Sequence, residues 1–289
     1  MRTLFRLCLM GLATLLLAGC GVRFAYTQLD WLLPWYLRDF VTLQGEQRSA
    51  LDQRLDRLLD WHCREQLPDY AALLRDTRTA VDEGALDAQR LDALLARGEG
   101  LWDVLMTAVV DDAEALLASL DDAQVAELAA AFERRNAKAR KEHLEGSAEH
   151  LHAGRVERME KRLRDWFGRL EDPQREQVAA WSRALQPTAE DWLAHRAAWQ
   201  RALLDLLGRR AGGTLPAGEL EPLLRTPQAH WDAAYRARVT HNRALTLSLL
   251  ADLVNAATPR QRLRLRAELD KLASQFERLA CAPSLPAPA

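Results

Sequence analysis

Residues 120–133 read LDDAQVAELAAAFE, and this stretch decides the fold class. Val125, Leu128, Ala129 and Phe132 recur at spacings of three and four, which places them on one side of a helix. Leu120-Asp-Asp-Ala-Gln124 ahead of them reads as a helix start. An Asp caps the first free amides, the next acid suits the positive end of the helix, and the Gln can reach back. The same period returns in Leu51, Leu55, Leu58 and Leu59, in Leu203, Leu204 and Leu207, and in Leu263, Leu265, Leu269, Leu272 and Phe276. No segment alternates like a strand, and Ala, Leu, Arg, Glu and Asp far outnumber Val and Ile. The expectation is an all-α protein, an irregular or elongated multi-helix bundle. Helices are expected over 34–41, 45–65, 69–83, 87–97, 99–118, 122–167, 172–185, 188–209, 217–224, 227–255 and 259–279. Pro68, Gly84, Gly98, Pro173, Pro187, Gly212-Gly213, Pro216, Pro227 and Pro259 supply the breaks.

Composition sets outer limits. The chain has 289 residues, 48% of them hydrophobic and 28% charged, which excludes collagen, low-complexity disorder and a polytopic membrane protein. The net charge of −2 gives no sign of a nucleic-acid partner. The charge is uneven, however: residues 39–127 hold twenty acids and eight bases, and residues 128–289 hold twenty acids and twenty-seven bases. Arg134, Arg135, Lys138, Arg140 and Lys141 crowd one stretch. They offer a patch for an anionic partner, or a solvated face that pairs with the acidic half of the chain.

The amino terminus reads MRTLFRLCLMGLATLLLAGC. Two Arg and a largely apolar run of twelve describe an export signal, because a run this short cannot cross a bilayer core of about 30 Å. Its end, Leu17-Ala18-Gly19-Cys20, resembles the lipobox of bacterial lipoproteins. The resemblance implies cleavage between Gly19 and Cys20, a diacylglycerol thioether on Cys20 and an acylated (typically palmitoylated) amino end. Several acyl chains hold a protein stably on a membrane where one does not. With Gly21 rather than Asp after the Cys, the expectation is the outer membrane, facing the periplasm. The expected organisation is signal peptide 1–19, lipid anchor and linker 20–28, one helical domain 29–281 with a possible subdivision near 168–172, and a disordered tail 282–289. Cys8 leaves with the signal, and Cys20 carries lipid. Cys63 and Cys281 remain as an even pair in a compartment that permits disulfides, so a Cys63–Cys281 bridge is expected, the alternative being two buried thiols.

Two further resemblances rest on short motifs. Tyr26-Thr-Gln-Leu29-Asp30-Trp31-Leu32-Leu33-Pro34-Trp35-Tyr36 resembles a run carried by an uncharacterised family of proteobacterial helical lipoproteins, soon after their lipid Cys. That family brings no activity with it. The run reads either as an interfacial aromatic anchor or as a first helix packed into the core, and core packing is the expectation. Four windows share the Leu-to-Gln spacing: Leu43–Gln47, Leu120–Gln124, Leu170–Gln174 and, with Ala for Leu, Ala257–Gln261. They read as helix caps, and they also resemble the LTxxQ motif of Spy-type periplasmic chaperones. That resemblance implies a helical binder of unfolded clients.

Catalytic and metal chemistry find no foothold. There is no Gly-rich phosphate loop, HExxH or Gly-x-Ser-x-Gly. His143, His150 and His152 are spaced by seven and two, and neither spacing converges on one ion. No cofactor, metal or catalytic residue is expected. The expected role is structural or protein-binding, in the bacterial envelope, through a membrane tether and envelope-protein partners. Binding of unfolded clients is the alternative.

Overall fold

The computed structural model describes residues 26–281, except 85. Among them there are helices and no strand. In order they are α1 (Leu29–Leu37), α2 (Gly45–Trp61), α3 (Leu67–Asp82), α4 (Ala88–Ala118), α5 (Asp122–Leu144), α6 (Ala148–Phe167), α7 (Asp172–Ala184), α8 (Ala189–Gly208), α9 (Leu220–Arg225), α10 (Ala233–Asn255) and α11 (Pro259–Leu279). A π-helical turn, His62–Gln66, joins α2 to α3, and a 3₁₀ turn spans Pro227–His230. The protein is therefore all-α, as the periodicity predicts.

The chain forms two compact units and passes between them repeatedly. Unit 1 takes the chain to Cys63, then Trp102–Leu144 and Ala189–Trp231. Unit 2 takes Arg64–Leu101, Glu145–Thr188 and Asp232 onward. One division falls inside α4, and the turn at 168–172 lies within unit 2.

Unit 1 closes on Leu128 and Phe132 of α5, Leu203, Leu206 and Leu207 of α8, and Leu220 and Leu223 of α9. Phe132 meets Phe40 and Trp199 edge-on, each with ring centres 6.4 Å apart. The Trp199 indole N–H donates to the Leu223 carbonyl at 2.7 Å, which satisfies its one polar atom. Unit 2 closes on Ala80 and Val81 of α3, Leu163 and Phe167 of α6, Val178 of α7, Leu249 and Leu253 of α10, and Leu265 and Leu269 of α11. Each fully buried Leu contributes about 1.5–3 kcal/mol. Here α3 and α11 run antiparallel. Arg75 binds Asp270 at 2.7 Å and Glu277 at 2.9 Å, and the Tyr70 ring lies against Phe276.

The four Leu-to-Gln windows explain how each unit is pinned. In every one, the Gln Oε1 accepts the N–H of the residue three before it: Gln44 to Gln47 and Asp121 to Gln124 at 2.9 Å, Glu171 to Gln174 and Thr258 to Gln261 at 3.0 Å. That is the expected cap. The windows also pair. In unit 1 the Gln47 and Gln124 amides hydrogen-bond to each other in both directions, at 2.9 and 2.7 Å. In unit 2 Gln174 and Gln261 do the same, at 3.0 and 2.8 Å. Three of the four amides then donate to the carbonyl just ahead of the partner window: Gln47 to Ser119 and Gln124 to Thr42 at 2.7 Å, and Gln261 to Arg169 at 2.9 Å. Each pair thus ties two helix starts together with saturated, largely buried amides. The same device recurs once in each unit.

Several boundaries differ from the sequence reading. Residues 87–97 and 99–118 form one helix, α4, through Gly98 and Gly100. The helix runs through Gly98 without a break, and a Cβ there would make only an ordinary contact, 3.5 Å from Leu73 Cδ2. The stretch 122–167 is two helices, because Gly146 takes φ +119° and Ser147 caps α6 by accepting from the His150 N–H at 3.1 Å. Residues 227–255 open with the 3₁₀ turn, and Asp232 then caps α10 by accepting from the Tyr235 N–H at 2.7 Å. Among the described residues the helix expected at 34–41 is instead Leu29–Leu37, with Pro34 inside it and not at its start.

Candidate functional site

The most distinctive surface lies in unit 1, on α1 and α5. Helix α1 turns Pro34 inward and presents Trp31 and Trp35 outward, 55% and 50% exposed. Their rings stack on one another with centres 6.2 Å apart. Spacing of four on a helix brings this about. Tyr36 is also exposed. This corrects the expectation of core packing for these aromatics. Burial takes Pro34, with Leu32, Leu33 and Leu37 half-buried, and leaves the Trp pair outside.

The five-base cluster on α5 divides in two. Arg135 is a packing residue: its guanidinium pairs with Asp39 at 3.0 Å and sits 3.9 Å from the Phe40 ring centre and 5.6 Å from that of Tyr36. Arg134, Lys138 and Lys141, at i, i+4 and i+7, form an exposed stripe on the adjoining side of α5. Arg140 is exposed elsewhere on the helix. None of these four bases pairs with a carboxylate among the described residues. The cluster is therefore one structural Arg and an unpaired stripe, and only Arg135 serves the acidic half of the chain.

Tyr26 anchors the entry to α1. Its hydroxyl lies 3.1 Å from His62 Nδ1 and donates to the Leu59 carbonyl at 3.4 Å. Burial pulls the His62 imidazole down to about 4.

Cys63 and Cys281 are disulfide-bonded. Gly19 and Cys20 lie outside the described residues. The histidines of the 143–152 stretch take separate roles. His143 meets Trp192 edge-on at 5.5 Å, and His150 follows the Ser147 cap. His152 is buried in unit 2, with Nδ1 2.9 Å from Ser182 Oγ. Arg155 Nε also donates to that hydroxyl, at 3.1 Å, and its Nη2 donates to the Ser182 carbonyl at 3.3 Å. Burial first, and the Arg158 charge second, push the Arg155 guanidinium below its ordinary value. Sequence reasoning missed this cluster because its members are thirty residues apart. Ser182 has no exposed surface, so the trio latches α6 to α7 and offers no reacting atom to a substrate.

An all-α fold built from two interleaved helical units defines the class. The chain belongs to a family of unknown function, DUF6279, whose model matches residues 39–236. The match begins after the Trp-rich run, so that run is not part of it, and it ends early in α10. No curated protein and no solved structure matches the chain.

Proposed function

We propose that this protein is an exported, lipid-tethered helical protein of the bacterial envelope that acts by binding other envelope components and not by catalysis. The observation that carries the reading is the Cys63–Cys281 bridge. Structural disulfides belong to oxidising compartments such as the periplasm, which is where the Leu17–Cys20 motif would deliver the chain. No helix among the described residues is long and apolar enough to cross a membrane, and the attachment we assign is through acyl chains on Cys20. The outer membrane, on its periplasmic side, is the proposed address.

Client binding draws no support from the Leu-to-Gln windows. Their Gln side chains are spent on capping and on each other, and three of the four are buried. The interaction reading is therefore preferred over the chaperone reading.

The test is in two parts. Cells grown with radiolabelled palmitate should label the wild-type product and not Cys20→Ser; an unlabelled wild type would refute the tether. In-cell crosslinking should capture the same envelope proteins reproducibly, and repeated failure to capture any would refute the interaction role.

A further inference from the structure

We propose that unit 1 lies on the membrane surface through α1 and α5, with Trp31 and Trp35 at the headgroup boundary and Arg134, Lys138 and Lys141 on lipid phosphates. The inference rests on the lipid-tether reading of Cys20. Leu29 lies nine residue steps beyond Cys20, and a chain reaches at most about 3.3–3.6 Å per residue, so α1 starts within about 30 Å of that residue. A nine-residue helix is only about 14 Å long, far short of a bilayer core of about 30 Å, so α1 can lie along the interface but cannot span it.

The two features suit that interface, and Arg135 links the helices that carry them. Trp rings, apolar in body with one polar N–H, favour the headgroup level, and α1 leaves two of them stacked and half exposed. Helix α5 joins this region through Arg135, which holds Asp39 and covers Phe40 and Tyr36. The unpaired stripe Arg134, Lys138 and Lys141 runs alongside Arg135, and Glu133 and Glu142 lie about a quarter turn to either side of it. Three cations that pair with no carboxylate among the described residues, on the helix that clamps an aromatic segment close to the tether, complement an anionic lipid surface. A protein partner would not need the aromatic pair within reach of the acylated residue.

The test uses the full protein, purified from membranes and reconstituted into phosphatidylethanolamine–phosphatidylglycerol vesicles doped with phospholipid brominated near the headgroup. The chain has nine Trp, so the pair is read as the difference between wild type and Trp31→Phe/Trp35→Phe. The bromine-quenched emission should fall at least about twofold in that variant, because the interfacial Trp are the ones removed. Arg134→Glu/Lys138→Glu/Lys141→Glu should lower quenching in these vesicles and change little in phosphatidylcholine. Equal quenching in wild type and the Trp variant would overturn the proposal. So would a difference emission that is already blue-shifted without lipid and insensitive to bromine, which would mean that a protein or a second copy covers the pair. Intact mass of the same sample reports the acyl chains independently. Acylated protein without quenching sinks this inference and leaves the tether standing, whereas protein without acyl chains sinks the tether reading itself.

Discussion

Replacing Gln261 by Ala should be among the most damaging single changes in unit 2. The side chain is 3% exposed and makes four hydrogen bonds: it accepts from Thr258 N–H and Gln174 Nε2 at 3.0 Å, and donates to Gln174 Oε1 at 2.8 Å and the Arg169 carbonyl at 2.9 Å. At about 1 kcal/mol net per bond the four bonds come to about 4 kcal/mol, and stranding the buried Gln174 amide adds about 1 kcal/mol or more, so the loss comes to about 5 kcal/mol. Gln174→Ala should cost a similar amount, since it strands Gln261 in turn. The double variant removes both partners at once and should cost less than the two singles together, by about 2 kcal/mol. Urea unfolding of the four proteins measures this cycle. Costs that add to within about 0.5 kcal/mol would refute the reciprocal pair as an energetic unit. Single losses below about 1 kcal/mol would reduce the windows to ordinary caps.

Other outcomes follow from the same geometry. His62 falls from 6.5 to about 4 on folding, so the unfolded chain binds the extra proton. Its contribution to stability is full above pH 6.5 and is lost as pH falls toward 4, by about 1–2 kcal/mol after allowance for partial solvent screening. NMR titration of the ring should show no midpoint near 6.5. Cys63→Ala/Cys281→Ala should lower stability by about 2–4 kcal/mol, read in the same urea assay, and reductant should have that effect on the wild type alone. Gly168→Ala should destabilise by about 1–2 kcal/mol, since that residue takes φ +74° and a Cβ would press Arg264 Cδ at 3.2 Å. Gly98→Ala should instead be neutral or gain up to about 1 kcal/mol, because its Cβ would make an ordinary contact inside a helix; thermal melts separate the two.

The fold class was legible because helical periodicity and cap chemistry are local. Asp121, Glu171 and Thr258 mark their helix starts within five residues, and the structure begins helices there. The pairing of the windows was not legible. Gln47 and Gln124 are 77 residues apart, and Gln174 and Gln261 are 87 apart, and a cap looks the same in sequence whether its amide faces water or another amide. Gly98 misled because Gly lowers helix propensity wherever it stands, yet α4 runs through it without interruption. The aromatic run misled in the opposite direction. Apolar residues fill nearly every position from Leu29 to Leu37, so no face stood out, and burial chose Pro34 over the Trp pair. Within the basic cluster, adjacent Arg134 and Arg135 look alike in sequence but point a quarter turn or so apart, which makes one a surface charge and the other a lid on Phe40.

The intact mass of the native protein, extracted from the membrane fraction without reductant, tests the account most directly. The expected species starts at Cys20, carries acyl chains there, and is two hydrogens lighter than its reduced form because of the Cys63–Cys281 bridge. A chain that retains its first nineteen residues, or one that starts elsewhere with an unmodified Cys20 thiol, would contradict it.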